Sequence, residues 1–407
     1  MEAEAHTFFL HLMLILLSAR FLAELAVYFK IPAVVGELLA GILLGPSLLG
    51  WLEPTPLIVS LAEMGIVLLL FRVGLETDMT RLMRTGGRSI IVATAGLILP
   101  FMLGFSLSYE IFHFPLLTSL FIGSTLTATS IGITVRVLAD LQRHQSPESQ
   151  IVLGAAVLDD VMGVVLLALL YQFSIGGGIS LVNTGRILLF VGAFLILAPV
   201  LARLIFGVIR RLDKVSQIPG LIPTAMVALV LFFAWIAHLL GVPEILGGFA
   251  AGLALSRRFY FPLGMALPTD PQFADHIEKT MQPIIHLFTP LFFVAVGLSL
   301  DLQAVDWTSS FIWIFSLSLF IAAVIGKMAG AFLIPESWPA RIAIGIAIIP
   351  RGEVGLIFAK LGHESGIFNH QLYASLVIVI ALTTLLGPFA MQNFYARLDG
   401  RLPLRED

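Results

Sequence analysis

The sequence predicts an all-α integral membrane protein, and three observations carry that prediction. Hydrophobic residues make up 58% of the 407 positions and charged residues 12%, with a mean hydropathy of +0.99. Ordinary soluble chains carry roughly 25% charged residues. Thirteen runs are apolar enough to cross a bilayer, which takes about 20 residues because every backbone polar group must be satisfied inside the segment. The two halves of the chain also repeat one another. The formal net charge of −3 and the lack of a basic block exclude a disordered or nucleic-acid-binding protein. The absence of cysteine excludes a disulfide scaffold, a thiolate metal site and a cysteine nucleophile.

The predicted spans are 7–29, 32–50, 56–75, 88–109, 116–138, 149–173, 185–209, 219–240, 243–257, 283–300, 309–333, 341–362 and 370–395. The first is too long, and too closely joined to the next, for a cleaved signal peptide. Linkers are short, so one membrane domain (1–407) and no soluble domain is expected: a first repeat at 7–173, a connecting helix at 185–209 and a second repeat at 219–395. An odd number of spans puts the termini on opposite sides. Lys30, Arg81, Arg84, Arg88, Arg136, Arg143, Arg203, Arg210, Arg211, Lys214, Arg257, Arg258, Lys279, Arg341, Arg397, Arg401 and Arg405 gather on one side, while acids such as Glu53, Glu110, Asp301 and Asp306 gather on the other. By the positive-inside rule the amino terminus lies outside and the carboxyl terminus in the cytoplasm.

Residues 31–44 read IPAVVGELLAGILL and residues 242–255 read VPEILGGFAAGLAL, sharing Pro32/Pro243, Gly36/Gly247, Ala40/Ala251, Gly41/Gly252 and Leu44/Leu255. Further on, VGLETD at 73–78 lies over VGLSLD at 296–301 and Gly132 over Gly355, while Asp159 and Asp160 lie over Leu382 and Thr383. The loop 258–282 absorbs the change of offset. Membrane helices rich in glycine and alanine resemble one another by composition, but these matches keep order and spacing over five helix pairs. Spans 1–6 thus correspond to spans 8–13, and partners seven spans apart run in opposite directions. Inverted repeats of this kind build many secondary transporters, with sites near the midplane at broken helices.

A charge at mid-bilayer costs at least about 2.5–3.5 kcal/mol, so each one calls for a partner or a role. In VLDDVMG, Asp159 and Asp160 sit side by side in the middle of span 6. They point about 100° apart around the helix, so one can pair internally while the other faces a wet cavity. Lys327, in AVIGKMAGA of span 11, needs an anion to hold its charge, and either aspartate is an obvious counter-ion. Span 5 carries STLTATSIGIT at 124–134, with Thr125, Thr127, Thr129 and Ser130 crowded before Gly132, and its repeat partner span 12 carries IIPRGEVGLI at 348–357. Pro350 removes a backbone donor and Gly352 and Gly355 loosen the helix, so a mid-span break is expected, with half-helix ends of about ±0.5 charge. The span-5 hydroxyls and the Arg351/Glu353 pair can offset those ends. Arg20 and Glu24, four apart, form a candidate local pair. Glu37, Glu63, Arg72, Glu76 and Glu244 are assigned structural or gating roles. The Gly41/Gly45, Gly248/Gly252 and Gly326/Gly330 spacings suit close helix packing.

TATSIGIT, VLDDVMG, FFVAVGLSLDL, the lysine in IGKMAG and PRGEVGLI together resemble the bacterial monovalent cation:proton antiporter-2 family, above all its NapA-type sodium/proton antiporters, over essentially the whole chain. The resemblance implies a thirteen-helix homodimer in the bacterial inner membrane, with spans 5 and 12 crossing where both unwind and a core domain moving elevator-fashion against a dimerisation domain. It implies that Asp160 is the main ion- and proton-binding carboxylate and that Asp159 pairs with Lys327 when sodium is absent. Thr127 and Ser130 would supply oxygens to the transported ion, and Glu353 would balance the span-12 break. The Kef branch of potassium-efflux proteins usually shows an amide in place of the first aspartate and carries a cytoplasmic nucleotide-binding domain. Asp159 and the end of the chain at 407 depart from both, so sodium or lithium is the expected cargo, with Kef-type potassium/proton exchange as the alternative.

The chemistry expected is competition: a hard cation and a proton seek the same carboxylate oxygens, so loading one displaces the other. Two protons per sodium, and hence electrogenic exchange, follow if an aspartate and the lysine both change protonation. An ion channel would show a filter repeated around an axis, and an organic-anion symporter fits adjacent aspartates poorly. No enzyme motif, resident cofactor or nucleic-acid surface is expected; the partners are sodium or lithium, protons, the lipid bilayer and a second copy of the chain.

Overall fold

The computed structural model describes residues 2–29, 31–77, 79–174, 181–213, 220–256, 271–300, 302–303 and 305–399. Lys30, Lys214, Arg257, Arg258, Asp301, Arg401 and Arg405 of the charge tally lie outside the described residues, as do most of the loop 258–282 and the side chains of Glu76, Arg81, Arg84 and Glu353.

The described residues form fifteen α-helices and no strand. They are α1 (Glu2–Tyr28), α2 (Ala33–Leu44), α3 (Pro56–Glu76), α4 (Met79–Ser106, prolonged by a π turn at Leu107–Ile111), α5 (Leu116–Thr125), α6 (Ile131–Asp140), α7 (Pro147–Ser174) and α8 (Leu181–Asp213). The second half holds α9 (Leu221–Leu239), α10 (Glu244–Ala254), α11 (Pro271–Leu298), α12 (Ser310–Phe332), α13 (Trp338–Ala347), α14 (Glu353–Glu364) and α15 (His370–Asp399). Spans 5 and 12 are each two successive halves, α5 with α6 and α13 with α14, so fifteen helices make thirteen spans. Helix starts follow local chemistry. Thr55, Ser309 and Ser337 each accept a hydrogen bond on their side-chain oxygen from the backbone amide three residues on, the usual N-cap contact.

Three boundaries differ by more than five residues from the hydropathy reading, one of them the start of α4 at Met79 rather than 88. α2 stops at Leu44 rather than 50, because Gly45 leaves the helix with an extended backbone before Pro46. The stretch that follows is tied down by Ser47, whose hydroxyl donates to the Leu300 carbonyl and accepts from the Leu302 amide. α11 starts at Pro271 rather than 283, since hydropathy finds the hydrocarbon crossing and not the polar helical turns before it.

The inverted repeat is visible in the packing. α1 lies on α2 as α9 lies on α10, α2 lies on α11 as α10 lies on α3, and α4 lies on α7 as α12 lies on α15; α3 meets its own counterpart α11. α4 also meets α12. The register holds to single residues. A Cβ on Gly36 would lie 2.2 Å from the Leu22 carbonyl oxygen, and one on its mate Gly247 would lie 2.4 Å from that of Phe233. A Cβ on Gly41 would lie 2.1 Å from the Val294 oxygen, and one on Gly252 would lie 2.0 Å from the Phe71 oxygen. Only hydrogen fits at these crossings, which is why small residues recur at close membrane-helix contacts. The GxxxG spacings are therefore consumed inside the chain.

Contacts divide the helices into two bodies. α1, α2, α3, α9, α10 and α11 pack together as one, and α4–α7 with α12–α15 as the other. α8 reaches both, and the direct seam is α2 and α3 against α6, with α15 against α2. Large apolar side chains such as Leu17, Phe21, Leu197, Leu204, Ile314 and Ile321 face outward, as a lipid-facing surface requires.

Candidate functional site

The two breaks lie at residues 126–130 and 348–352, and they touch. The Ser130 amide donates to the Pro350 carbonyl at 2.8 Å. A Cβ on Gly352 would sit 2.7 Å from Ser130 Oγ, so glycine there is what lets the unwound strands cross. Each half-span then caps the other. Arg351, fully buried, donates through Nη2 to the carbonyl of Leu126, the C-cap of α5. Thr134 on α6 donates through its hydroxyl to the carbonyl of Ala347, the last residue of α13, at 2.7 Å. A cation and a hydroxyl thus meet the two negative half-helix ends. Thr384 on α15 steadies Arg351 by donating to its carbonyl. Glu353 is the first residue of α14, where a helix N-terminus favours an acid.

Beside this crossing α7 presents its two aspartates and α12 its lysine. Lys327 Nζ donates to Asp159 Oδ2 at 3.1 Å and to Thr129 Oγ1 at 2.6 Å. Lys327 is 1% exposed, Asp159 6% and Asp160 7%, so this is an ion pair inside the protein with a second carboxylate next to it. The fields of Asp159, Asp160 and Arg351 all reach Lys327, and two cations face two acids. Asp159 Oδ1 and Ser130 Oγ are buried with no hydrogen-bond partner among the described residues. Buried polar atoms are almost always satisfied, so a pair of oxygens left over here suits a hard cation.

Two cavities lie on one side of it. A cavity of about 190 Å³ lies in the seam between the two bodies, lined by Arg20, Arg72, Arg136, Asp140, His144 and His286 among others. A smaller one of about 20 Å³ shares Val73, Val135, His144 and Leu153 with it and continues to Thr134, Ile131 and Ala156. Ile131 follows Ser130, and Ala156 precedes Asp160 by four residues, hence on the same face of α7.

Of the residues singled out from the sequence, the structure gathers Asp159, Lys327, Ser130 and Arg351 around the crossing, with Asp160 beside Asp159 on α7. The Thr127 hydroxyl donates to the Ser124 carbonyl at 2.8 Å and so caps α5. Arg20 donates to the His286 carbonyl on α11. Thr129, marked in the sequence only as part of a hydroxyl cluster, is the one that reaches the lysine. Thr134 and Thr384 carry no local signal that would single them out, because their acceptors lie on distant spans.

Broken crossing helices, an inverted repeat and a buried acid–lysine pair define a secondary transporter for small ions. The chain belongs to the sodium/hydrogen exchanger family, whose transmembrane pattern it matches over residues 12–393, and it is a multi-pass membrane antiporter. That broader family name replaces the antiporter-2 subdivision of the sequence resemblance. It is 34% identical to the Na(+)/H(+)-K(+) antiporter GerN of Bacillus cereus over 96% of this chain and 97% of that one. It is 32% identical to the high-affinity Na(+)/H(+) antiporter NhaS3 of Synechocystis, covering 93% and 88%. The fold matches that of the sodium proton antiporter MjNhaP1 from Methanocaldococcus jannaschii with a TM-score of 0.72 at 17% identity, over 98% and 97% of the two chains.

Proposed function

We propose that the chain exchanges sodium or lithium for protons at Asp160 and Asp159, by alternating access in which the body of α4–α7 and α12–α15 moves against the other. The observation that carries this is the Lys327–Asp159 pair at the helix crossing, with unclaimed oxygens on Asp159 and Ser130. With sodium absent, Lys327 and protons balance the two acids. A sodium ion drawn to Asp160, Asp159 and the Ser130 oxygen displaces one proton from an aspartate and a second from the Lys327 ammonium, which is left as a neutral amine. The amine keeps its Thr129 partner, and Arg351 and Glu353 hold the half-helix ends fixed while the charge at the centre changes. Two protons per sodium would make exchange electrogenic. The charge asymmetry of the loops supports a cytoplasmic carboxyl terminus in the bacterial inner membrane, and the outward apolar faces leave room for a homodimer contact. Potassium is the second reading, favoured by the potassium in the name of the GerN relative.

The test is dequenching of a pH-sensitive dye in proteoliposomes on addition of sodium, lithium or potassium. The native chain should respond to sodium and lithium, and Asp160→Asn should abolish the response. Sodium-driven dequenching that survives in Asp160→Asn removes the assignment.

A further inference from the structure

The seam between the two bodies is apolar where the first turns of α6 meet the other body, and polar toward the end of α6, where Arg72 and His286 also face Asp140. Leu38, Ile66 and Phe292 face Ile131 and Ile133 in one cluster. A Cβ on Gly132 would lie 2.3 Å from Ile66 Cδ1 and 3.3 Å from Phe292 Cε1. Apolar contact is non-directional, so such a surface has little preference among neighbouring registers. Next to the apolar stretch a fully buried acid breaks that indifference. Glu37 on α2 is fully buried, and its Oε1 lies 3.5 Å from Nη2 of Arg136 on α6. The same guanidinium holds Asp140, one turn along α6, at 3.2 Å.

We infer that the Glu37–Arg136 ion pair is a latch across the moving seam, and that Glu37 is a positioning residue which sets how often the chain occupies the arrangement seen here. The inference rests on the alternating-access reading above. Glu37 belongs to one body and the arginine to the other, and α6 runs from Arg136 directly back to Ser130 at the helix crossing. The charged groups whose fields reach Glu37 are Arg136, Asp140 and Arg20. Asp140 repels it and Arg20 sits on its own body, so Arg136 is the one cation that travels. Its second oxygen, Oε2, has no hydrogen-bond partner among the described residues. A shift of α6 by a single turn, about 5.4 Å, takes the guanidinium out of reach and strands a buried carboxylate. The stranded state is penalised because a buried charge that loses its partner has no water to replace it. Replacing Glu37 by glutamine removes the attraction in this arrangement and the penalty in the shifted one. Both changes push the equilibrium the same way, out of the arrangement seen here.

The lack of cysteine in the native chain makes a single introduced thiol a clean reporter. Ala139 lines the seam cavity, which narrows when the bodies shift. In nanodiscs, the rate at which a polar maleimide labels Ala139→Cys should fall about fivefold or more when Glu37→Gln is added, the lower end of coupling between linked sites. The apparent sodium KM from the cavity side should rise by a similar factor, because the competent fraction falls. Exchanging the charges, Glu37→Arg with Arg136→Glu, should restore labelling toward the parent rate, which a merely packed pair of residues would not do. If Glu37→Gln does not assemble, Glu37→Gln with Arg136→Gln carries the same expectation. Labelling that is unchanged or faster overturns the latch. Exchange by the Ala139→Cys parent is measured in parallel: a parent that exchanges sodium for protons while labelling ignores Glu37 sinks the latch alone, and a parent that moves no sodium sinks the transport reading beneath it.

Discussion

The two broken spans occupy equivalent places in the repeat and answer the same physical demand with different chemistry. Span 5 unwinds through Leu126, Thr127, Ala128, Thr129 and Ser130 and offers hydroxyls; span 12 unwinds through Ile348, Ile349, Pro350, Arg351 and Gly352 and offers a charge and a glycine. Each lends its device to the other: Arg351 caps α5 and Thr134 caps α13. Fold symmetry is thus kept by the backbone, in glycine crossings matched pair for pair, while function requires the side chains to differ. The same division appears in α7 and α15, where one repeat carries Asp159 and Asp160 and the other carries Leu382 and Thr383. On the proposed exchange reading one centre needs one pair of acids, and a symmetric second pair would add buried charge at a cost.

The largest effect expected from breaking this reciprocity is at the charged end. Arg351→Leu removes the cation that faces the α5 terminus and whose field reaches Asp159, and loss of a hydrogen bond made by a charged group costs about 1.5–3 kcal/mol. The melting temperature of the solubilised protein should drop sharply, and sodium exchange should be lost with it. Thr134→Val keeps shape and removes one neutral hydrogen bond, worth about 1 kcal/mol, so melting should shift by only a few degrees and exchange should persist. Equal losses in the two variants would mean that the caps are interchangeable and that the chemical difference between the breaks has no energetic content.

Much of this architecture is legible in the sequence. Hydropathy locates every span because lipid leaves backbone groups no partner outside the helix, and the glycine register announces the inverted repeat. Pro350 and the small residues around it mark one break, and the hydroxyl cluster marks the other. The adjacent aspartates and the lysine stand out because charge inside lipid is costly. Partnership across distance is what the sequence does not disclose. Nothing local says that Thr129, rather than Thr127, reaches Lys327, since four hydroxyls within six residues are equivalent until the unwound strand takes a path. Glu37 reads as a residue near a helix end, because its partner Arg136 is 99 residues away. The early stop of α2 and the polar beginning of α11 are hidden because hydropathy reports lipid depth, which is not the same as helicity.

The claim on which all else depends is that sodium and protons contend for the same buried oxygens. It is tested most directly by adding sodium chloride to weakly buffered, solubilised protein and following proton release with a pH dye, choline chloride serving as the salt control. The native chain should release protons as sodium binds, as linkage between two ligands of one centre demands, about two per sodium when an aspartate and Lys327 each give one up, and Asp160→Asn should release none. Sodium binding with no proton release from the native chain would contradict the account.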